Sequence, residues 1–134
     1  MSTLYLIRGV CGSGKSTLAK EMFDCKMIDD YFEADQYFKT LAGNGKYVFD
    51  ASRLKEAHEW CQSSTKTCLQ KGETIAVSNT STTEKEVAIY QQIAELTGSK
   101  FVSIILENRV GTKNIHNVPE EKIQQMKNRF SVKL

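Results

Sequence analysis

Proline is almost missing from this chain: Pro119 is the single one among 134 residues. Tryptophan is equally rare, with Trp60 alone. A proline-rich unstructured chain or a collagen-like repeat is therefore excluded, and there are no internal repeats or low-complexity stretches. No run of about 18 apolar residues occurs, so no membrane-spanning helix and no membrane partner are expected. Charge of one sign does not dominate either. Eighteen basic residues face 16 acidic ones for a net charge of +2, which excludes a protein that coats polyanions along its whole surface. The four cysteines, Cys11, Cys25, Cys61 and Cys68, form no C-x-x-C pair and no Cys/His group with zinc spacing. Reduced thiols are the simplest reading. The first apolar run is broken at Arg8, too early for a secretory signal, so a cytoplasmic location is expected.

What is present begins at once. Residues 9–17 read GVCGSGKST, and the first eight fit G-x-x-x-x-G-K-S. The β-prone run Thr3–Ile7 precedes the loop, and a helical run from Ser16 to Phe23 follows it. Strand, glycine loop and helix together are the context that makes this pattern a nucleotide phosphate cradle. Gly9, Gly12 and Gly14 permit the tight backbone that points consecutive N–H groups inward. The helix start adds its positive dipole. Lys15 is expected to reach the β- and γ-phosphates, and Ser16 to offer its hydroxyl to Mg²⁺. Cys11, Ser13 and Thr17 complete the cradle's contact set. Cys11 has two readings: a thiol activated by the local positive field, or a small residue at an unconstrained position.

Beyond the loop, β-prone and helical segments alternate. Tyr31–Ala34 is expected to form a short strand ending at Asp35, and residues 36–41 a helical turn. A long helix is expected from about Asp50 to Lys71, with Leu54, Ala57, His58, Cys61, Thr65 and Cys68 on one face. Gly72 stands where a glycine after a helix belongs. Thr74–Ser78 reads as a buried strand running into Asn79. Ser81 and Glu84 fit a capping box for a helix that Gly98 closes at Thr97. Phe101–Leu106 is the most β-prone run. Pro119 then suits the first turn of a last helix. The expected fold is therefore α/β: a mainly parallel sheet of four or five strands between helices. One domain over residues 1–134 is expected, with a polar segment at about 107–118.

In open sheets of this kind, ligands gather beyond the carboxyl ends of the strands. Asp35, Asn79 and Arg109 follow strands two, three and four. Asp35 suits a base that takes a hydroxyl proton. Asn79 suits a group that holds water, acceptor or the metal shell. Arg109 and Lys113 suit neutralisation of charge on a transferred phosphoryl group. Plain structural roles compete: a helix cap for Asp35, a turn contact for Asn79, and a solvated loop for Arg109 and Lys113.

The run EADQYF, then AVSNTSTTEKE, then ENRVGTKNIHNVPEEKIQQMKNRF, added to the first loop, resembles the polynucleotide-kinase-like branch of P-loop kinases, including phage enzymes and small ATP-binding proteins. That resemblance spans nearly the whole chain. It implies ATP and Mg²⁺ as cofactors, with Lys15 and Ser16 at the triphosphate. It implies Asp35 as the residue that activates the acceptor hydroxyl, and Arg109 and Lys113 as lid residues. It also implies a sheet with strand one beside strand three. The acceptor it implies is a polynucleotide 5′-hydroxyl. The chain departs from that pattern in three places. Phe38 stands where the phage enzyme has an acceptor-binding arginine, Asn79 where it has an aspartate, and Lys113 where a second arginine is expected. A kinase of a nucleoside or other small molecule, and an ATP-binding regulatory module without transfer, are therefore the alternatives.

Overall fold

The computed structural model describes residues 2–38, 51–81, 83–108 and 118–132. Four strands form one sheet: β1 (Thr3–Arg8), β2 (Asp30–Phe32), β3 (Ile75–Ser78) and β4 (Lys100–Ile105). Their order is β2-β3-β1-β4, and every pairing is parallel. Strand one thus lies beside strand three, as the resemblance implies. Residues 130–132 add no fifth strand.

Among the described residues the longer helices are α1 (Lys15–Asp24), α2 (Leu54–Gln70), α3 (Glu84–Thr97) and, after the last strand, α4 (Glu120–Arg129). A turn of 3-10 helix, Ala51–Arg53, leads into α2. Residues 36–38 are helical as well. Gly72 and Gly98 both adopt positive φ just past helix ends, where a side chain would be strained.

Alternation along the strands divides the core into two layers. Leu4, Leu6, Ile75 and Val77 point to one face, where Cys61 and Leu69 of α2 and Val87, Tyr90 and Ile93 of α3 cover them. Ile7 and Ala76 point to the other, beneath Ala19 and Met22 of α1. Among the described residues, Phe38 is the largest fully buried side chain, and it packs with Ala34 and Ala57 in a third cluster.

Two local expectations shift. The buried stripe of α2 is Ala57, Cys61, Thr65 and Leu69, a strict four-residue step, so Leu69 takes the place expected for Cys68, and Leu54 is exposed. Helix α3 starts two residues later than the Ser81 box implied. Thr83 is the cap, its hydroxyl accepting from the Glu86 N–H. Ser81 instead adopts a φ of 44° and turns its carbonyl toward Arg8. All four cysteines are free. No helix among the described residues is long and apolar enough to cross a membrane.

Candidate nucleotide site

The loop between β1 and α1 lies in the middle of the sheet's carboxyl edge, because β1 is an inner strand. Gly12 and Gly14 have φ of 83° and 94°, conformations open to glycine and strained for other residues. Gly9 is demanded by space instead. A Cβ there would come within 2.3 Å of Ser13 Oγ and 2.9 Å of the Leu106 carbonyl oxygen. Ser13 itself is buried, and its hydroxyl has no hydrogen-bond partner among the described residues.

Helix α1 opens directly from this loop with Gly14 as its cap residue and no acid in its first turn. Helices α2, α3 and α4 all carry glutamates in theirs. The positive end of α1 and its first amides face the loop with no acid of the helix's own first turn against them, a setting suited to an anion. Lys15 is half-buried, and its ammonium donates to the Val10 carbonyl at 3.0 Å. Burial lowers its pKa below the ordinary lysine value, against the partial opposition of Cys11, Glu33 and Asp35. Burial raises the Cys11 thiol above its ordinary value, and Asp35 adds to this, so that the pull of Lys15 is outweighed. This favours the reading of Cys11 as a small residue at an unconstrained position, because desolvation outweighs the local field. Thr17 is exposed at the start of α1.

Two acids face the loop from the end of β2. Asp35 is half-buried in the turn after the strand, and its charge is felt at both Cys11 and Lys15. Glu33 was not anticipated. Its Oε2 accepts from the Ser16 hydroxyl at 2.7 Å and from the Ser78 hydroxyl at 3.2 Å. The available signal was its place just past β2, at the carboxyl edge of the sheet where ligands gather. Asn79 makes a turn contact, the structural alternative to a role at the metal or acceptor. Its Oδ1 accepts from the Ala34 N–H at 3.0 Å, and its Nδ2 donates to the Tyr90 hydroxyl at 3.3 Å. Its amide fastens the end of β3 to the turn that carries Asp35. Phe38, at the position expected for an acceptor-binding cation, is buried in the core.

On the other side of the loop, toward β4, lies a cavity of about 590 Å³. Val10, Gly12, Leu106, Ile123, Phe130 and Val132 are among the residues that line it. Its walls are tied to the loop by two side chains. The Asn108 amide donates to the Gly12 carbonyl at 2.9 Å. Arg8, almost fully buried, donates through Nε to the Ser81 carbonyl at 2.9 Å and through Nη2 to the Ser131 carbonyl at 2.7 Å. Its guanidinium also lies 4.9 Å from the centre of the Phe130 ring. Glu107, Glu120 and Lys127 line the cavity as well, so its wall is mixed, and the loop lies between it and the Glu33 and Asp35 carboxylates. Arg109, Lys113 and His116 lie outside the described residues.

Comparison with known proteins bears on the family and the fold. The profile of the family described as AAA domain matches residues 4–132. Human NEDD4-binding protein 2 is 32% identical over 133 residues, covering 92% of this chain, which spans 7% of that protein's length. Among solved structures, a chain of the Pnkp1/Rnl/Hen1 RNA repair complex superposes with a TM-score of 0.74 at 12% identity, covering 96% of this chain and 44% of its own. The Mycobacterium tuberculosis APS kinase CysC in complex with AMPPNP and APS superposes with a TM-score of 0.59 at 14% identity, over 92% of this chain and 67% of that one. This chain belongs to the AAA domain family and has a P-loop kinase-like fold.

Proposed function

We propose that this AAA domain chain is an ATP-dependent phosphotransferase that moves the γ-phosphate of a nucleoside triphosphate to a hydroxyl acceptor. The observation that carries this reading is the placement of Asp35. It stands in the turn after β2, two residues from the Glu33 that meets Ser16, and its charge acts on Lys15 and Cys11.

In this reading, backbone amides of residues 9–17 and the Lys15 ammonium hold the phosphates. The cavity beside β4 takes the base and sugar. Asp35 accepts the proton of the attacking hydroxyl and aims its oxygen along the line of transfer. Asn79 acts indirectly, by fixing the backbone on which Asp35 sits. Arg109 and Lys113, in a lid segment at about 107–118, neutralise charge on the moving phosphoryl group. Asn108 fastens the start of that segment to the cradle.

The site's chemistry fits Mg²⁺. Ser16, Ser78 and Glu33 are oxygen donors, the class that this hard ion prefers. No group of three or more His, Cys, Asp and Glu among the described residues is placed to hold a metal. That suits an ion held largely by substrate phosphates. Ser16 would be its hydroxyl ligand. The ion would neutralise charge on the phosphate oxygens.

The acceptor we favour is a polynucleotide 5′-hydroxyl, in line with the polynucleotide-kinase-like pattern of the sequence. One observation favours a smaller acceptor: position 38 supplies a buried phenylalanine rather than a surface cation. Radiolabelled ATP offered with 5′-hydroxyl oligonucleotides and with nucleosides and small polyols separates the two. Label appears in one class of acceptor, and Asp35→Asn abolishes it while nucleotide still binds. Undiminished transfer by Asp35→Asn overturns the assignment of the base. ATP binding and slow hydrolysis with no acceptor labelled would instead favour a regulatory module.

A further inference from the structure

The turn that carries Asp35 meets the start of α2 through aromatic side chains. Arg53, Glu56 and Trp60 are spaced three and four residues apart, so they share one side of the helix where it begins. Tyr37, two residues past Asp35, lies against that side. Its hydroxyl donates to Glu56 Oε2 at 2.9 Å, and its ring centre is 6.1 Å from that of Trp60 at an angle of 47°. Trp60 is braced in turn by Phe32 at the end of β2, edge-on at 5.9 Å. The ring of buried Phe38 lies 6.0 Å from that of Tyr37 and pins the turn to the core.

Tyr37 and Trp60 are both half-buried, so each keeps part of its ring open to solvent. Rings already held in place lose little freedom when a flat ligand settles on them. Charge around them is balanced. Arg53 pairs with Glu56 at 3.9 Å, and Lys55 with Glu59 at 4.0 Å. Such a surface has no net charge to draw a phosphate chain, and it suits an uncharged flat ring. Every nucleobase has a π-face to lay on these rings, whereas a polyol has none.

From this geometry we propose that Tyr37 and Trp60 form a stacking platform for a nucleobase of the acceptor, on the side of the site where Asp35 stands. This rests on the phosphotransfer reading given above and narrows its acceptor to one that bears a base, a nucleoside or the end of a single strand. In that reading the donor's base occupies the cavity beside β4, on the other side of the phosphate loop, so the two bases do not compete.

Trp60 is the single tryptophan of the chain, so tryptophan emission reports this patch alone. The test titrates the full chain, with a non-hydrolysable ATP analogue bound, with thymidine, with a 5′-hydroxyl oligothymidylate and with ribitol. Thymidine and the oligonucleotide are expected to quench the emission, and ribitol to leave it unchanged. Tighter quenching by the oligonucleotide identifies a strand end as the source of the base, and equal affinity a free nucleoside. Loss of one stacking contact weakens binding about 10- to 100-fold. Tyr37→Leu is expected to raise the KM for the base-bearing acceptor by that factor and to leave ATP affinity by calorimetry unchanged. Trp60→Phe, which retains an aromatic face, should keep an acceptor KM close to wild type. Should Tyr37→Leu not fold, the wild-type titration decides by itself. Unquenched emission with every base-bearing ligand, or transfer to ribitol in preference to them, overturns the platform. Quenching with no acceptor phosphorylated instead overturns the phosphotransfer reading, a result distinct from transfer without quenching.

Discussion

Ser16 in the first turn of α1 donates its hydroxyl proton to Glu33 at the end of β2 across 2.7 Å. Its neighbour Lys15 turns the other way, to the Val10 carbonyl. Two successive residues of one helix thus serve opposite walls of the cradle. Acid chemistry is gathered on the β2 side, and the ammonium stays over the loop's own backbone.

Replacing that ammonium isolates its contribution. Lys15→Met keeps the aliphatic stem and removes the charge. A hydrogen bond to a charged group is worth about 1.5–3 kcal/mol. At about 1.4 kcal/mol per decade, ATP binding should weaken about 10- to 100-fold in a calorimetric titration. The melting temperature should hold or rise, because the variant no longer buries a charge.

Proton uptake should accompany binding at alkaline pH. Burial depresses the folded-state pKa of Lys15 relative to the unfolded chain. The folded protein therefore binds fewer protons than the unfolded one between those two pKa values. The cost of burying the ammonium is present at lower pH and shrinks as pH rises through the depressed value. Phosphate restores the charged form, so ATP affinity should fall as pH rises through the same window. Calorimetry in buffers of different ionisation enthalpy should reveal the protons taken up. A pH-independent affinity across that range would refute the linkage.

Gly9→Ala tests the packing of the cradle. The new methyl would meet a backbone carbonyl at Leu106 as well as Ser13 Oγ, and only the latter can rotate away. Overpacking of this kind costs about 1–3 kcal/mol. Chemical denaturation should show that loss, and ATP binding should fall below detection. Gly72→Ala provides the contrast. Nothing lies within 4 Å of its added Cβ, so only its positive φ opposes the change, and nucleotide affinity should be unaffected.

Asn79→Ala should act at a distance. It leaves the Ala34 N–H without its buried acceptor, a loss of about 1–3 kcal/mol. Because Asp35 rides on the same turn, kcat for transfer should drop while ATP affinity in EDTA remains close to wild type. Equal losses in both would place Asn79 at the nucleotide instead.

Local features of this fold were legible in the sequence. The cradle, the glycine helix stops at Gly72 and Gly98, and the alternating strands each depend on a few adjacent residues. The parallel sheet followed from β–α alternation. The α2 stripe was misread at its end because Cys68 and Leu69 are both apolar neighbours. Only packing on Ile75 and Val77 selects Leu69. The α3 cap was misplaced because Ser81 and Thr83 are both good caps. The bond from Arg8 to the Ser81 carbonyl accompanies the start at Thr83. Glu33, Arg8 and Asn108 escaped notice for one reason. Their partners lie 17 to 123 residues away and meet only once strand order is set.

Arg8 carries a final implication. One planar cation, at the last position of β1, grips the turn before α3 with one nitrogen and the residues after α4 with another. In the reading proposed above, the cavity that takes the base and the loop that takes the phosphates are joined through a group that lines neither wall. Variation at residue 8 should retune base preference and phosphate grip together, so drift at either end of the bound molecule is resisted by the same hinge pin.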